Sequence, residues 1–157
     1  MPRVLVGVLL LVAGCSSVRP VASGAVYRSG QLSPPQLAEA VRRHDIKTVV
    51  NLRGREPEAR WYQVQKAALD RLNVRQIDVA FSGEAPNERQ VAELMDVYRR
   101  AEKPLLVHSR SANGSVGLAS GLYRVGVGRE TNDAARKELA FWQWGRLPAI
   151  VPGSGYD

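Results

Sequence analysis

The segment Leu105-Leu-Val-His-Ser-Arg-Ser-Ala-Asn-Gly-Ser-Val-Gly117 constrains this chain more than any other. An apolar run, Leu105 to Val107, leads into a turn of small residues, which opens onto the apolar helix pattern Val116-Gly-Leu-Ala-Ser-Gly-Leu-Tyr123. A strand, a tight loop and a helix N-terminus in that order aim backbone N–H groups and a helix dipole at one spot. Ser109, Arg110, Ser111, Ala112, Asn113, Gly114 and Ser115 would line such an anion cradle. Within it, Asn113-Gly114 favours a tight turn with positive φ, which would alter the cradle.

The preceding residues alternate between strand and helix patterns. Ala25 to Ser29 reads as a short first strand. Ser33-Pro-Pro-Gln36 starts a helix: Ser33 is a good N-cap, Pro34 suits the first helical position, and Gln36 completes a capping box. Leu37, Ala40 and Val41 form that helix's apolar face. Lys47 to Leu52 is a β-branched run suited to a buried strand. A second helix is expected from about Glu58 to Leu72, with Trp61, Val64, Ala68 and Leu72 recurring at helical spacing as its core stripe. Arg75 to Val79 is a third strand. Asn87 caps a third helix running to about Ala101, with Val91, Leu94, Met95 and Tyr98 buried. A last helix is expected from Thr131 to about Trp142, stopped by Gly145 and Pro148. This order implies an α/β fold: a central, mostly parallel sheet of four to five strands flanked by helices. Such sheets bind ligands at the carboxyl ends of their strands, where Ser109 sits.

The start of the chain has the form of an export leader. Met1-Pro-Arg3 is positive, and the apolar run Val4 to Gly14 is shorter than the roughly 20 residues a membrane span needs. Val12-Ala-Gly-Cys15 resembles the lipobox of bacterial lipoproteins, in which the cysteine is lipidated and becomes the new N-terminus. An ordinary cleaved signal and an uncleaved anchor are the alternatives. The expected organisation is a signal peptide over 1–14, a lipidated tether over 15–24, one domain over 25–150 and a flexible tail over 151–157. Cys15 is the one cysteine, so the chain holds no thiol for catalysis and none for a disulfide. A formal net charge of +7 raises the question of nucleic acid. The leader and the scattered basic residues, without interleaved aromatics, exclude that reading. A solvated basic surface facing anionic headgroups is expected instead. No cofactor or metal is expected.

Several segments carry a family resemblance: Tyr27-Arg-Ser-Gly-Gln-Leu-Ser33, Ile46-Lys-Thr-Val-Val-Asn-Leu-Arg53, Leu106-Val-His108, Gly117-Leu-Ala-Ser120 and Trp144-Gly-Arg-Leu-Pro148. In this order they resemble the compact bacterial members of the protein-tyrosine/dual-specificity phosphatase superfamily. That superfamily's loop signature is His-Cys-x-x-Gly-x-x-Arg. His108 matches it; Ser109 stands at the nucleophilic Cys, Ala112 at the Gly and Ser115 at the phosphate-binding Arg. The resemblance implies the phosphatase fold, with His108 bracing the loop from the strand side. It also implies a general acid about thirty residues ahead of the loop, where Asp78 lies, with Glu84 the other candidate and a locally bonded strand-end Asp the plain alternative. Arg53 and Arg55 follow the second strand on the same side, as anion ligands or as solvated turn residues. His44 reads as a surface charge at a helix C-terminus.

Without the thiolate and the guanidinium fork, the resemblance implies a scaffold without its chemistry. The expected function is that of a pseudophosphatase in the bacterial envelope, on the periplasmic face of the outer membrane, binding a phosphate-like anion or a protein partner. An active phosphoester hydrolase with an unconventional nucleophile is the alternative.

Overall fold

A computed structural model describes residues 18–128. The leader with Cys15, the helix expected from Thr131, Trp144–Pro148 and the 151–157 tail lie outside the described residues. The elements, in chain order, are β1 (Arg19–Ala22), β2 (Val26–Ser29), α1 (Pro34–His44), β3 (Thr48–Asn51), α2 (Arg60–Arg71), β4 (Arg75–Asp78), α3 (Glu88–Arg100), β5 (Leu105–His108) and α4 (Ser115–Gly126).

The five strands form one sheet in the order β1-β2-β5-β3-β4. All neighbours are parallel except β1, which runs antiparallel to β2. The chain steps from β2 to β3 to β4 in one direction and then back to β5. Right-handed crossovers therefore put α1 and α2 on one face and α3 on the other. One apolar cluster joins Leu37, Ala40, Val41 and Leu69 to Val49 and Leu106. The opposite cluster joins Val91, Leu94, Tyr98, Val116 and Ala119 to Val26, Val50 and Val107. There Tyr98, fully buried, donates its hydroxyl proton to the Ala119 carbonyl at 2.8 Å and ties α3 to α4.

Local signals place the helix starts. The Ser33 backbone N–H donates to Gln36 Oε1 at 2.9 Å. Asn87 Oδ1 accepts from the Gln90 N–H at 2.9 Å while the Asn87 N–H donates to Gln90 Oε1 at 3.0 Å. Each box satisfies N–H groups that the helix's own ladder leaves open.

Two expectations need correction. Residues 19–22 belong to the expected tether, yet they form an edge strand: Arg19 pairs with Arg28 and Ala22 with Val26. Val21 is buried, so backbone pairing and an apolar side chain hold the segment to the domain. The buried stripe of α2 is Tyr62, Gln65 and Leu69. Val64, expected in the core, is 43 % exposed, and Trp61 is half-buried. The polar Gln65 disguises the true face, which lies one residue round the helix. Part of the basic charge shares one kind of position. Arg42 and Arg43 end α1, Arg71 ends α2, Arg99 and Arg100 end α3, and Arg124 lies in the last turn of α4. Cations there complement the negative ends of the helix dipoles. The helices on the parallel crossovers run against the strands, so this charge gathers at the amino end of the sheet, opposite the loop that follows β5.

Candidate functional site

The loops after β3 and β5 leave the sheet from adjacent strands and enter helices on opposite faces. That divergence opens a crevice at the carboxyl end of the sheet, the usual ligand position in this architecture. Ser109 and Ser115 stand at its two ends, both half-buried; Arg110, Ser111, Asn113 and Gly114 are exposed, and Ala112 is half-buried. Gly114 caps α4 at φ +56°, a conformation that favours glycine. Asn113 takes no positive φ.

Two backbone approaches hold the loop's shape. The Gln31 N–H, just beyond β2, donates to the Arg110 carbonyl at 3.3 Å. Gly83 is buried against the first turn of α4, where a Cβ would stand 2.2 Å from the Ser115 nitrogen. Only glycine lets the Ser82–Pro86 segment approach so closely. Glu84 lies on the exposed side of that segment, and its N–H donates to Ser82 Oγ at 3.3 Å.

Beneath the loop, Ser29, His108, Asn51 and Asp78 occupy one row across β2, β5, β3 and β4. Side chains two apart on a strand share a face. This row therefore lies on the α1/α2 face, beyond the apolar row of Tyr27, Leu106 and Val49. The row anchors a hydrogen-bond relay. Arg53 Nη1 donates to Gln31 Oε1 at 2.9 Å; Gln31 Nε2 donates to Gln65 Oε1 at 2.6 Å. Gln65 Nε2 donates to Gln76 Oε1 at 3.1 Å, and Gln76 Nε2 to Asp78 Oδ1 at 2.8 Å. The relay has a direction. Arginine can only donate and an ionised carboxylate can only accept, so the two ends orient every amide between them.

That direction decides the state of His108, which is 2 % exposed. Its Nε2 stands 2.9 Å from Gln65 Nε2. The Gln65 amide already turns its oxygen to Gln31, so it meets the ring with an N–H, and His108 Nε2 must accept. The ring is neutral with its proton on Nδ1, which lies by the Ser109 backbone without a well-formed hydrogen bond. Burial pushes the His108 pKa down to about 4, with the Ser109 backbone opposing the shift and the Arg53 charge adding to it.

Asp78 ends the relay. It also receives Asn51 Nδ2 at 2.9 Å and the Tyr62 hydroxyl. The hydrogen bond to Asp78 is the largest cause of a raised Tyr62 pKa, with Arg55 opposing it. All three polar neighbours of Asp78 donate to it, which makes it an anchored acceptor two strands from Ser109. Asn51 also shapes the loop after β3: its Nδ2 donates to the Gly54 carbonyl at 2.7 Å, and its Oδ1 accepts the Arg53 N–H at 3.1 Å.

The Arg53 guanidinium lies over the Trp61 ring, 3.4 Å from its centroid, a cation–π contact. Trp61 therefore carries an arginine at the crevice. Burial lowers the Arg53 pKa; Glu56 opposes the shift and the Arg110 charge adds to it, which places the two guanidinium groups in one field. Arg55 is exposed and works on the Tyr62–Asp78 pair instead. His44 is half-buried against Tyr27, ring centroids 4.2 Å apart, and its pKa is lowered by burial and then by Arg43.

The structure thus brings Ser109, Ser115, Arg110 and Arg53 to one crevice and assigns Asp78 to the layer below. Sequence reasoning missed Gln31, Gln65, Gln76, Tyr62 and Gly83. The one signal was Asn51, a polar residue closing an otherwise β-branched buried strand. Among the described residues no helix is long and apolar enough to cross a membrane, and no group of three or more His, Cys, Asp or Glu could hold a metal ion.

Comparison with known proteins agrees with this geometry. The family described as DSP-PTPase phosphatase fused to NAD+ kinase matches residues 16–147. The core catalytic domain of the PP-IP phosphatase SIW14 from S. cerevisiae, in complex with citrate, aligns with a TM-score of 0.67 at 16 % identity, over 85 % of this chain and 80 % of that one. TpbA from P. aeruginosa aligns with a TM-score of 0.62 at 22 % identity, over 80 % and 78 %. A cysteine-to-serine form of TpbA in complex with phosphotyrosine aligns equally well, at 23 % identity over the same shares. At these identities the structural likeness speaks for the fold. No curated protein sequence matches.

Proposed function

The chain belongs to the DSP-PTPase phosphatase family, and on that premise we propose that it is a pseudophosphatase, an anion-binding domain carried on lipid in the bacterial envelope. One observation carries the reading: the residue after β5 and the first residue of α4 are Ser109 and Ser115, where the family signature has its nucleophile and its phosphate clamp. A cysteine in such a cradle ionises near or below neutral pH and attacks as a thiolate. A serine hydroxyl keeps its proton there and needs a strong general base. His108 is poorly placed to act as that base, being buried and neutral with its Nε2 engaged by Gln65 on the α2 side. Ser115 is short and uncharged, so the bidentate grip that tightens on the transition state is lost as well.

Binding survives this loss more easily than catalysis. The first-turn N–H groups of α4 and the Arg53–Arg110 pair remain as donors around the crevice. A cysteine-to-serine relative holds phosphotyrosine, which supports a serine at this place in the fold as compatible with a bound phosphoryl group. Cys15, after its short apolar leader, supports the lipid anchor, and Ser16 after it favours the outer membrane over inner-membrane retention.

The purified protein is expected to hydrolyse aryl phosphates no faster than a protein blank, while inorganic phosphate shifts the amide resonances of residues 109–117. Loss of a covalent nucleophile can cost on the order of a million-fold in rate. Turnover that disappears with Ser109→Ala would replace this reading with that of an active hydrolase.

A further inference from the structure

We propose that the crevice end of the sheet faces the membrane and that the anion met by the Ser109–Ser115 loop is the phosphoryl group of a lipid headgroup. This inference rests on the lipid-anchor reading of Cys15 given above and deepens it.

β1 runs antiparallel to β2, with Arg19 opposite Arg28, one position before the row of Ser29 and His108. The chain therefore enters the domain at the carboxyl end of the parallel strands, the end from which the β5 loop emerges. β1 lies two strands from β5, about 10 Å sideways. Val18, packed against the α1/α2 core, is the first described residue. From Cys15 to Val18 is three residues, a reach of about 10 Å at full extension. An acyl chain on Cys15 thus enters the bilayer beside the crevice, where Arg19, Arg55 and Arg110 are exposed.

Charge alone would turn the molecule over. The crevice end also holds Glu56, Glu58 and Glu84, all exposed or partly so, whereas the amino end of the sheet collects the basic helix C-termini described above. Free in solution, the domain would offer that basic end to an anionic surface. The anchor opposes this, because α1 alone, eleven residues long, separates the two ends by about 16 Å, more than the linker spans. Anchor and charge thus specify opposite orientations.

Full-length protein isolated from bacterial membranes is reconstituted into vesicles of phosphatidylethanolamine with phosphatidylglycerol and compared with the same protein in neutral detergent by hydrogen–deuterium exchange. The expected result is severalfold slower exchange over residues 53–58 and 109–116, with 42–47 and 99–104 unchanged. Protection at the basic end, or equally at both ends, would overturn the orientation. Loop protection that inorganic phosphate reproduces in detergent, and that vesicles do not increase, would assign the loop to a soluble anion and overturn the headgroup ligand. Mass analysis of Cys15 tests the anchor separately. If it carries no acyl chain, the lipoprotein reading falls by that result; coupling a maleimide phospholipid to this one cysteine then still decides the orientation by the same exchange pattern.

Discussion

Acid should unfold this domain through His108. The ring is 2 % exposed, and its Nε2 can only accept from Gln65. Protonation would set an N–H against an N–H inside a buried network. Burial lowers its pKa from 6.5 to about 4. In the unfolded chain the ring regains its ordinary value, so between those two pH values the unfolded state binds a proton that the folded state refuses. Stability from this residue is fully present above the unfolded pKa. It falls as pH drops through the window and is gone below the folded value. A shift of about 2.5 units corresponds to about 3 kcal/mol, a large share of the stability of a domain this size.

Two measurements check this. Unfolding free energies from urea titration of wild type and His108→Gln, taken at about pH 7.5 and about pH 4, should differ in pH dependence by about 3 kcal/mol. Both proteins lose carboxylate contributions in acid, so the difference isolates the imidazole. The chain has two histidines, so ring resonances resolve them directly, and His108 should titrate near 4 in the folded protein. Parallel acid sensitivity in the two proteins, or a His108 ring that titrates near its ordinary value, would refute the reasoning.

Gln65→Leu should destabilise the domain by about 2–3 kcal/mol, because it strands a donor on Gln31 and acceptors on Gln76 and His108 at once; an unchanged denaturation midpoint would rule out the relay. Gly83→Ala should cost about 1–3 kcal/mol and move the amide resonances of residues 114–116, since its Cβ would collide with the Ser115 backbone. The combined Ser109→Cys, Ala112→Gly and Ser115→Arg variant should gain aryl-phosphate hydrolysis above the wild-type level, and a well-folded variant with no gain would show that the acid or the loop has also diverged.

The fold was legible because its signals are local. Ser33 with Gln36 announces one helix from residues three apart, and Asn87 announces another as its cap. The run Thr48–Asn51 announces a strand wherever it lies. The relay was illegible for the opposite reason: Gln31, Gln65 and Gln76 are ordinary surface types, far apart in the chain, and become a network only when β2, α2 and β4 converge. One of them, Gln65, misled the reading of α2, where it occupies the buried stripe and Val64 an exposed one. β1 was hidden because its four residues, Arg19-Pro-Val-Ala22, carry no strand pattern, and their pairing with β2 is what makes them a strand.

On the pseudophosphatase reading proposed above, scaffold and chemistry separate at the signature loop for a physical reason. The contacts that hold it are a backbone hydrogen bond from Gln31, the close approach of Gly83, and the positive φ of Gly114. None involves the Ser109 or Ser115 side chains. Below the loop, the neutral state of His108 follows from the direction of the amide relay, which Arg53 and Asp78 set from its ends. A cradle built this way keeps its form whether cysteine or serine follows β5. Losing the thiolate then removes the covalent step and leaves the donors around the crevice in place. By that reasoning, inorganic phosphate should perturb the loop amides of Ser109→Ala as it does those of wild type; a response confined to wild type would mean that the Ser109 hydroxyl itself holds the anion.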